Sequence, residues 1–141
     1  HLDLPVMREC ADVLVGEHDF KAFSANPKRE METTVRDLRR IEIIETDNHV
    51  YLVFAGVSFL YKMVRTLVGH LVHAAMTDGW RPQRSRAILE SKMRESHIHT
   101  APPQGLFLWR VDYPPDPQIR NRALPGKGEV LSKSVRFRMT G

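Results

Sequence analysis

Between Phe59 and Ala75 apolar residues recur every four positions: Phe59/Leu60, Met63/Val64, Leu67/Val68, Leu71/Val72 and Ala75. This spacing places them along one side of an α-helix, in a stripe too broad to leave in water. The rest of the chain must therefore supply a surface that covers the helix. Lys62, Arg65, Thr66, Gly69, His70 and His73 are expected on the opposite, polar face. Gly79 follows as a stop, Trp80, Arg81 and Pro82 lead out, and Gln83 to Ser96 reads as a second helix, polar and basic over much of its surface.

The covering surface is expected to be a sheet. Thr34 to Glu45 contains Val35, Ile41, Ile43 and Ile44, β-branched residues among polar arginines, and reads as a strand. Asp47-Asn48 closes a hairpin, and Val50 to Gly56 returns with Tyr51, Val53 and Ala55 on one face. Leu106 to Tyr113 alternates well enough for a further strand, as do Val135, Phe137 and Met139 within Val130 to Met139. Ahead of the hairpin, Pro5 to Val15 is expected to be a helix with Val6, Cys10, Val13 and Leu14 on one face, ended by Gly16. Glu17 to Phe23 reads as a short turn or helical segment, and Ala25 to Glu32 as a loop. Thr100 to Gly105 is a rigid loop, because two prolines fix the backbone before Gly105 frees it. The order helix, hairpin, long helix, helix, strand predicts an α+β fold, an antiparallel sheet with helices packed on one face.

Composition narrows function only slightly. Lys and Arg outnumber Asp and Glu by 21 to 17 over 141 residues, a mildly basic balance that permits a nucleic-acid partner without requiring one. The longest largely apolar stretch without a charge, Val50 to Tyr61, is too short for a spanning helix of about 20 residues, so no membrane partner is expected. The single Cys10 excludes an internal disulfide and a multi-cysteine zinc site, and it points to a reducing compartment, cytoplasmic or organellar. His70 and His73 lack the further ligands a zinc site needs, and no phosphate loop or other cofactor signature occurs, so neither metal nor organic cofactor is expected. The chain opens on His-Leu-Asp-Leu-Pro, without Met or a signal segment, which reads as a fragment or a processed product.

Four segments resemble, in order, motifs of the TruA family of pseudouridine synthases. Gly16 to Phe23 is similar to Gly-x-His-Asp-Phe-x-x-Phe, and Thr34-Val35-Arg36 sits where a strand should begin. Phe59 to Gly69 is similar to Phe-x-Tyr-x-x-Val-Arg-x-x-Val-Gly. Ala101-Pro102-Pro103-Gln104-Gly105-Leu106-Phe107-Leu108, followed by Val111-Asp112-Tyr113-Pro114, resembles the family's Ala-Pro-x-x-Gly-Leu-Tyr-Leu loop and strand. The resemblance implies two related halves around a central antiparallel sheet, with this chain as the second, C-terminal one. Residues 1–114 would form that domain, and 115–141 a basic Pro- and Gly-containing tail with one extra strand. The family's catalytic aspartate lies in a Gly-Arg-Thr-Asp-x-Gly motif of the first half. None of the eight aspartates here, at positions 3, 12, 19, 37, 47, 78, 112 and 116, has that context, and the tyrosine that the family sets against the target base is also absent.

Site residues follow from the same resemblance. Arg65 matches the arginine that pairs with the catalytic aspartate; a guanidinium there would keep the carboxylate ionised and aimed at a flipped-out uridine. Without the resemblance it reads as a solvated arginine on a helix. Leu106 matches a leucine of the uracil pocket or is plain core, and Gly105 positions it. Gly69 allows close approach of a backbone or RNA, or close helix-to-sheet packing. Lys62, Arg81, Arg84, Arg86, Lys92 and Arg94 would form a rim for tRNA phosphates or a solvated surface. Met93-Arg94 and Arg65-Thr66 depart from the family's usual Asp-Arg and Arg-Asn. The implied activity is isomerisation of uridine to pseudouridine in the tRNA anticodon arm, jointly with the N-terminal half of the same enzyme, the isolated chain being inactive. A non-catalytic RNA-binding or scaffold component of a ribonucleoprotein assembly is the alternative. Partners on these readings are tRNA, the N-terminal half, a second copy of the chain, or the larger assembly.

Overall fold

The computed structural model describes residues 1–24, 33–47, 49–112 and 132–140; for 106–112 and 132–140 it describes the backbone and, of the side chains, Arg138. The loop expected at Ala25 to Glu32, Asn48 of the hairpin, and most of the tail from 113 to 131 lie outside the described residues.

Helix α1 (Leu4–Leu14) starts where the Asp3 side chain accepts from the Val6 N–H at 3.1 Å, with Pro5 in the first turn. Its buried face is Leu4, Met7, Cys10, Ala11 and Leu14, rotated from the expected one, so Val6 and Val13 are half-buried. After Gly16, at φ +123°, comes a strand rather than a turn: β1 (Gly16–Asp19) pairs antiparallel with β2 (Val35–Glu45), and helical geometry is confined to the 3₁₀ turn at Lys21–Phe23. Asp19 makes the switch by accepting from the Lys21 N–H and the Thr34 hydroxyl.

Strands β2 and β3 (His49–Gly56) form the expected hairpin, closed by a backbone bond from Thr46 N–H to His49 O of 2.9 Å. A bulge between Leu38 and Arg40 inserts one residue. That insertion keeps Leu38 on the same face as Ile41 and Ile43, opposite Leu52 and Phe54, and this is the face that meets the helices. Tyr51, Val53 and Ala55 occupy the reverse face of β3.

Helix α2 (Met63–Met76) begins four residues later than its apolar spacing predicts. Lys62 adopts a left-handed conformation, φ 57°, which no α-helix can continue through; Phe59 and Leu60 pack against the core from a turn instead. Met63, Leu67 and Leu71 are fully buried, and cutting any one to Ala would cost about 2–5 kcal/mol. Helix α3 (Pro82–Ser91) also falls short of Ser96, because Lys92 turns left-handed at φ 59° and its N–H caps Leu89 O.

Strands β4 (Leu106–Asp112) and β5 (Ser132–Thr140) complete a five-stranded antiparallel sheet of order β1-β2-β3-β5-β4. The late strand expected in the tail is thus an inner strand, and the sheet does not stop at residue 114. One core joins α1, α2 and α3 to one sheet face, an α+β arrangement. No helix among the described residues is long and apolar enough to cross a membrane.

Candidate functional site

The segment after α3 crosses back over α2, and that crossing organises the site. Arg65 and Ala101 are joined twice: Arg65 Nε donates to Ala101 O at 2.7 Å, and Ala101 N–H donates to Arg65 O at 2.9 Å. Among the described residues no carboxylate forms an ion pair with Arg65. One turn on, Gly69 lies so close to the segment that a Cβ would overlap the His99 carbonyl. The Thr66 and Thr100 hydroxyls meet at 3.4 Å between these points.

This crossing corrects the expected polar face. Thr66 and His70 are fully buried, because the segment and α3 cover the side of α2 that its sequence offers to water. The Ser85 hydroxyl bridges His70 Nε2, at 2.8 Å, and the Trp80 indole N–H, at 3.1 Å. His73 and His97 stack with ring centroids 4.3 Å apart, and Trp80 sits edge-on to both. Burial chiefly, then the neighbouring His97, His73 and Arg84, pushes His70 down to about 3. Burial and then His73 also lower His97, against Glu95, which lies 3.2 Å from His97 Nδ1 and raises it. This is a packed aromatic clasp around the buried His70, and no group of three metal-ligating side chains occurs among the described residues.

Beside the crossing opens a cavity of about 610 Å³, walled by Val68, Gly69, Val72, His73 and Met76 of α2, by residues 99–102 with Gln104 and Gly105, and by Arg138 of β5. Two of the expected pocket residues, Gly69 and Gly105, therefore face one cavity. Arg65 is not in its wall; it reaches the wall through Ala101. Leu106 opens β4 opposite Phe137, directly after Gly105, and its side chain lies outside the described residues.

The six expected rim cations are dispersed. Lys62 precedes α2, a helix about 20 Å long, whereas Arg81 caps the start of α3 beyond its far end. Arg81 and Arg86 are exposed, Lys62 lies over the Tyr61 ring, Arg84 pairs with Glu95 at 2.7 Å, and Lys92 stands 3.8 Å from Asp19. Arg94, though exposed, is committed to its own chain, donating to Ile98 O from Nε (3.2 Å) and Nη2 (2.9 Å), and from Nη2 to the Thr100 hydroxyl (3.0 Å). Thr66, Ser85, Thr100 and the Ala101 carbonyl join the site through contacts between segments 15 to 36 residues apart, which side-chain pattern along the chain does not signal.

Residues 10–114 match the model of a family described as tRNA pseudouridine synthase. Among curated proteins, the tRNA pseudouridine synthase A of Fervidobacterium nodosum is 41% identical over 111 residues, 78% of this chain and 44% of the relative. The Listeria innocua protein of the same name is 39% identical over 113 residues, covering 79% and 45%, and that of Treponema denticola 41% over 114 residues, covering 81% and 42%. The chain thus spans less than half the length of these relatives. With a family model matched over most of its residues, and the Arg65 helix and the Ala101 loop both inside the matched region, the chain belongs to the TruA-type tRNA pseudouridine synthases.

Proposed function

We propose that this chain is the C-terminal half of a tRNA pseudouridine synthase that, joined to a catalytic N-terminal half, isomerises uridine to pseudouridine in the tRNA anticodon arm. The domain takes in residues 1–114 and, through β5, part of 115–141. The reaction breaks the N-glycosidic bond, turns the base and rejoins it through carbon, with no metal or organic cofactor. Arg65 carries this reading. Its Nε is held by Ala101, and no described carboxylate occupies its terminal nitrogens, so it suits an acidic partner from the other half. Such a guanidinium holds the partner carboxylate ionised and oriented. Gly105 and Leu106 supply the wall for the base, with Gly69 allowing the wall its place. Strand β4 supports the two-half reading as well, since β5 is its one neighbour among the described residues and its other edge suits a strand from the N-terminal half. Lys62, Arg81 and Arg86 supply phosphate contacts whose strength falls with salt.

The test is tRNA pseudouridine formation by the full-length protein and by its Arg65→Ala variant. Loss of a charge-assisted contact at the reacting carboxylate should lower kcat about 100-fold or more. An active wild type with an equally active variant would remove Arg65 from the mechanism. The isolated 141 residues should give no turnover, and turnover from them would end the two-half reading. A full-length protein that binds tRNA without isomerising it would favour the scaffold alternative.

A further inference from the structure

We propose that Arg94 is a positioning residue, which pins the 98–101 segment across α2 and so sets the Ala101 carbonyl that fixes Arg65. This rests on the reading of Arg65 given above. The guanidinium spans two acceptors two residues apart, Ile98 O and the Thr100 hydroxyl, with three hydrogen bonds of 2.9–3.2 Å. Between Arg94 and Ile98 the chain makes a turn, closed by Ile98 N–H to Glu95 O at 3.0 Å, and Ile98 itself is buried in the core. Arg94 therefore braces the outside of that turn. Thr100 then meets Thr66 on α2, and the next residue, Ala101, gives both its backbone groups to Arg65. The connection runs Arg94, Thr100, Ala101, Arg65 without a gap.

A planar fork can serve two fixed acceptors at once, whereas a lysine ammonium on a flexible stem cannot reproduce that geometry. This separates bracing from a phosphate contact, which the exposed position of Arg94 also permits, because a phosphate contact needs mainly the charge. A displacement of even 1 Å in a reacting group costs about 100-fold in rate, so the brace should act on turnover and not on tRNA affinity.

The test uses the full-length protein with Arg94→Lys, Arg94→Ala and Thr100→Val, reading kcat and KM on tRNA, the salt dependence of tRNA binding, and amide exchange at Ala101. Both Arg94 variants should lose about tenfold or more in kcat, with KM and salt dependence within about twofold of wild type. Ala101 exchange should rise about tenfold while the Leu67 and Leu71 amides stay protected, which also reports that the variants fold. Thr100→Val removes one acceptor and should shift the same readouts by less. Wild-type kcat and Ala101 exchange in Arg94→Lys would overturn the proposal, as would a raised KM and weakened salt dependence at unchanged kcat. If the wild type isomerises no tRNA, the enzymatic reading fails, and exchange at Ala101 still decides whether Arg94 braces the segment.

Discussion

Gly69 is the residue on which the crossing of α2 depends. By helix propensity alone, alanine there would stabilise the protein by about 1 kcal/mol. The added methyl would instead overlap the His99 carbonyl, a backbone atom that cannot swing aside as a side chain can. Overlap should win, and Gly69→Ala should lower stability by about 2–3 kcal/mol in urea unfolding; a more stable variant would mean that the segment does not lie where it is described. Single residues were unevenly legible from sequence. Gly69 carried two readings, and the backbone that approaches it belongs to the chain itself. Arg65 stood out only through its motif, since on spacing alone it is one more polar position of an amphipathic helix. Thr66 and His70 read as solvent-facing for the same reason, although a segment some 30 residues away covers them. The Ala101 carbonyl has no sequence signal at all, because every residue has one.

Elements were read best where neighbours in sequence are neighbours in space. Strands β2 and β3 follow from β-branched alternation across a short turn, and the hairpin lies where Asp47 implied it. Helix ends were less legible, because both shortened ends hang on a lysine held left-handed, a conformation that side-chain pattern does not encode. Lys92 tests this directly. A non-glycine residue in the left-handed region costs about 1–2 kcal/mol, and glycine removes most of that cost at a helix C-terminus. The ion pair with Asp19 is long and exposed on the lysine side, so its loss offsets little. Lys92→Gly should therefore raise stability by about 0.5–1 kcal/mol, read from the denaturation midpoint. Lys62 shares the geometry but stands at the entrance to the Arg65 helix, where a substitution would mix stability with function.

For the molecule as a whole, the buried His70 links the packing of α2, α3 and the returning segment to pH. Folded, His70 stays neutral down to about 3; in the unfolded chain it takes a proton near 6.5. Between those values the unfolded state binds the extra proton. The contribution is therefore complete above about pH 6.5 and is lost at up to about 1.4 kcal/mol per pH unit as pH falls toward 3. His97, also lowered, acts with the same sign. Urea unfolding at pH 7, 6, 5 and 4 should show this decline, and His70→Gln should flatten it; an equal slope in that variant would assign the acid sensitivity elsewhere. The α+β class was legible at this scale from the order of elements, whereas strand order was not, since pairing of β5 with β3 spans roughly 80 residues of sequence.

That pairing also sets a timetable. During synthesis β3 emerges long before β5, and β4 shortly before it, yet β3 and β4 do not pair with each other, and the slot between them is filled by the last described strand. Until the ribosome has released residues up to about 140, the strand that follows the Ala101 loop lacks its partner among the described strands, and the edges of β3 and β4 that β5 joins stay open. Long loops must close before such contacts form, so the seating of β5, which brings Arg138 to the cavity wall, is the late step in the making of this domain.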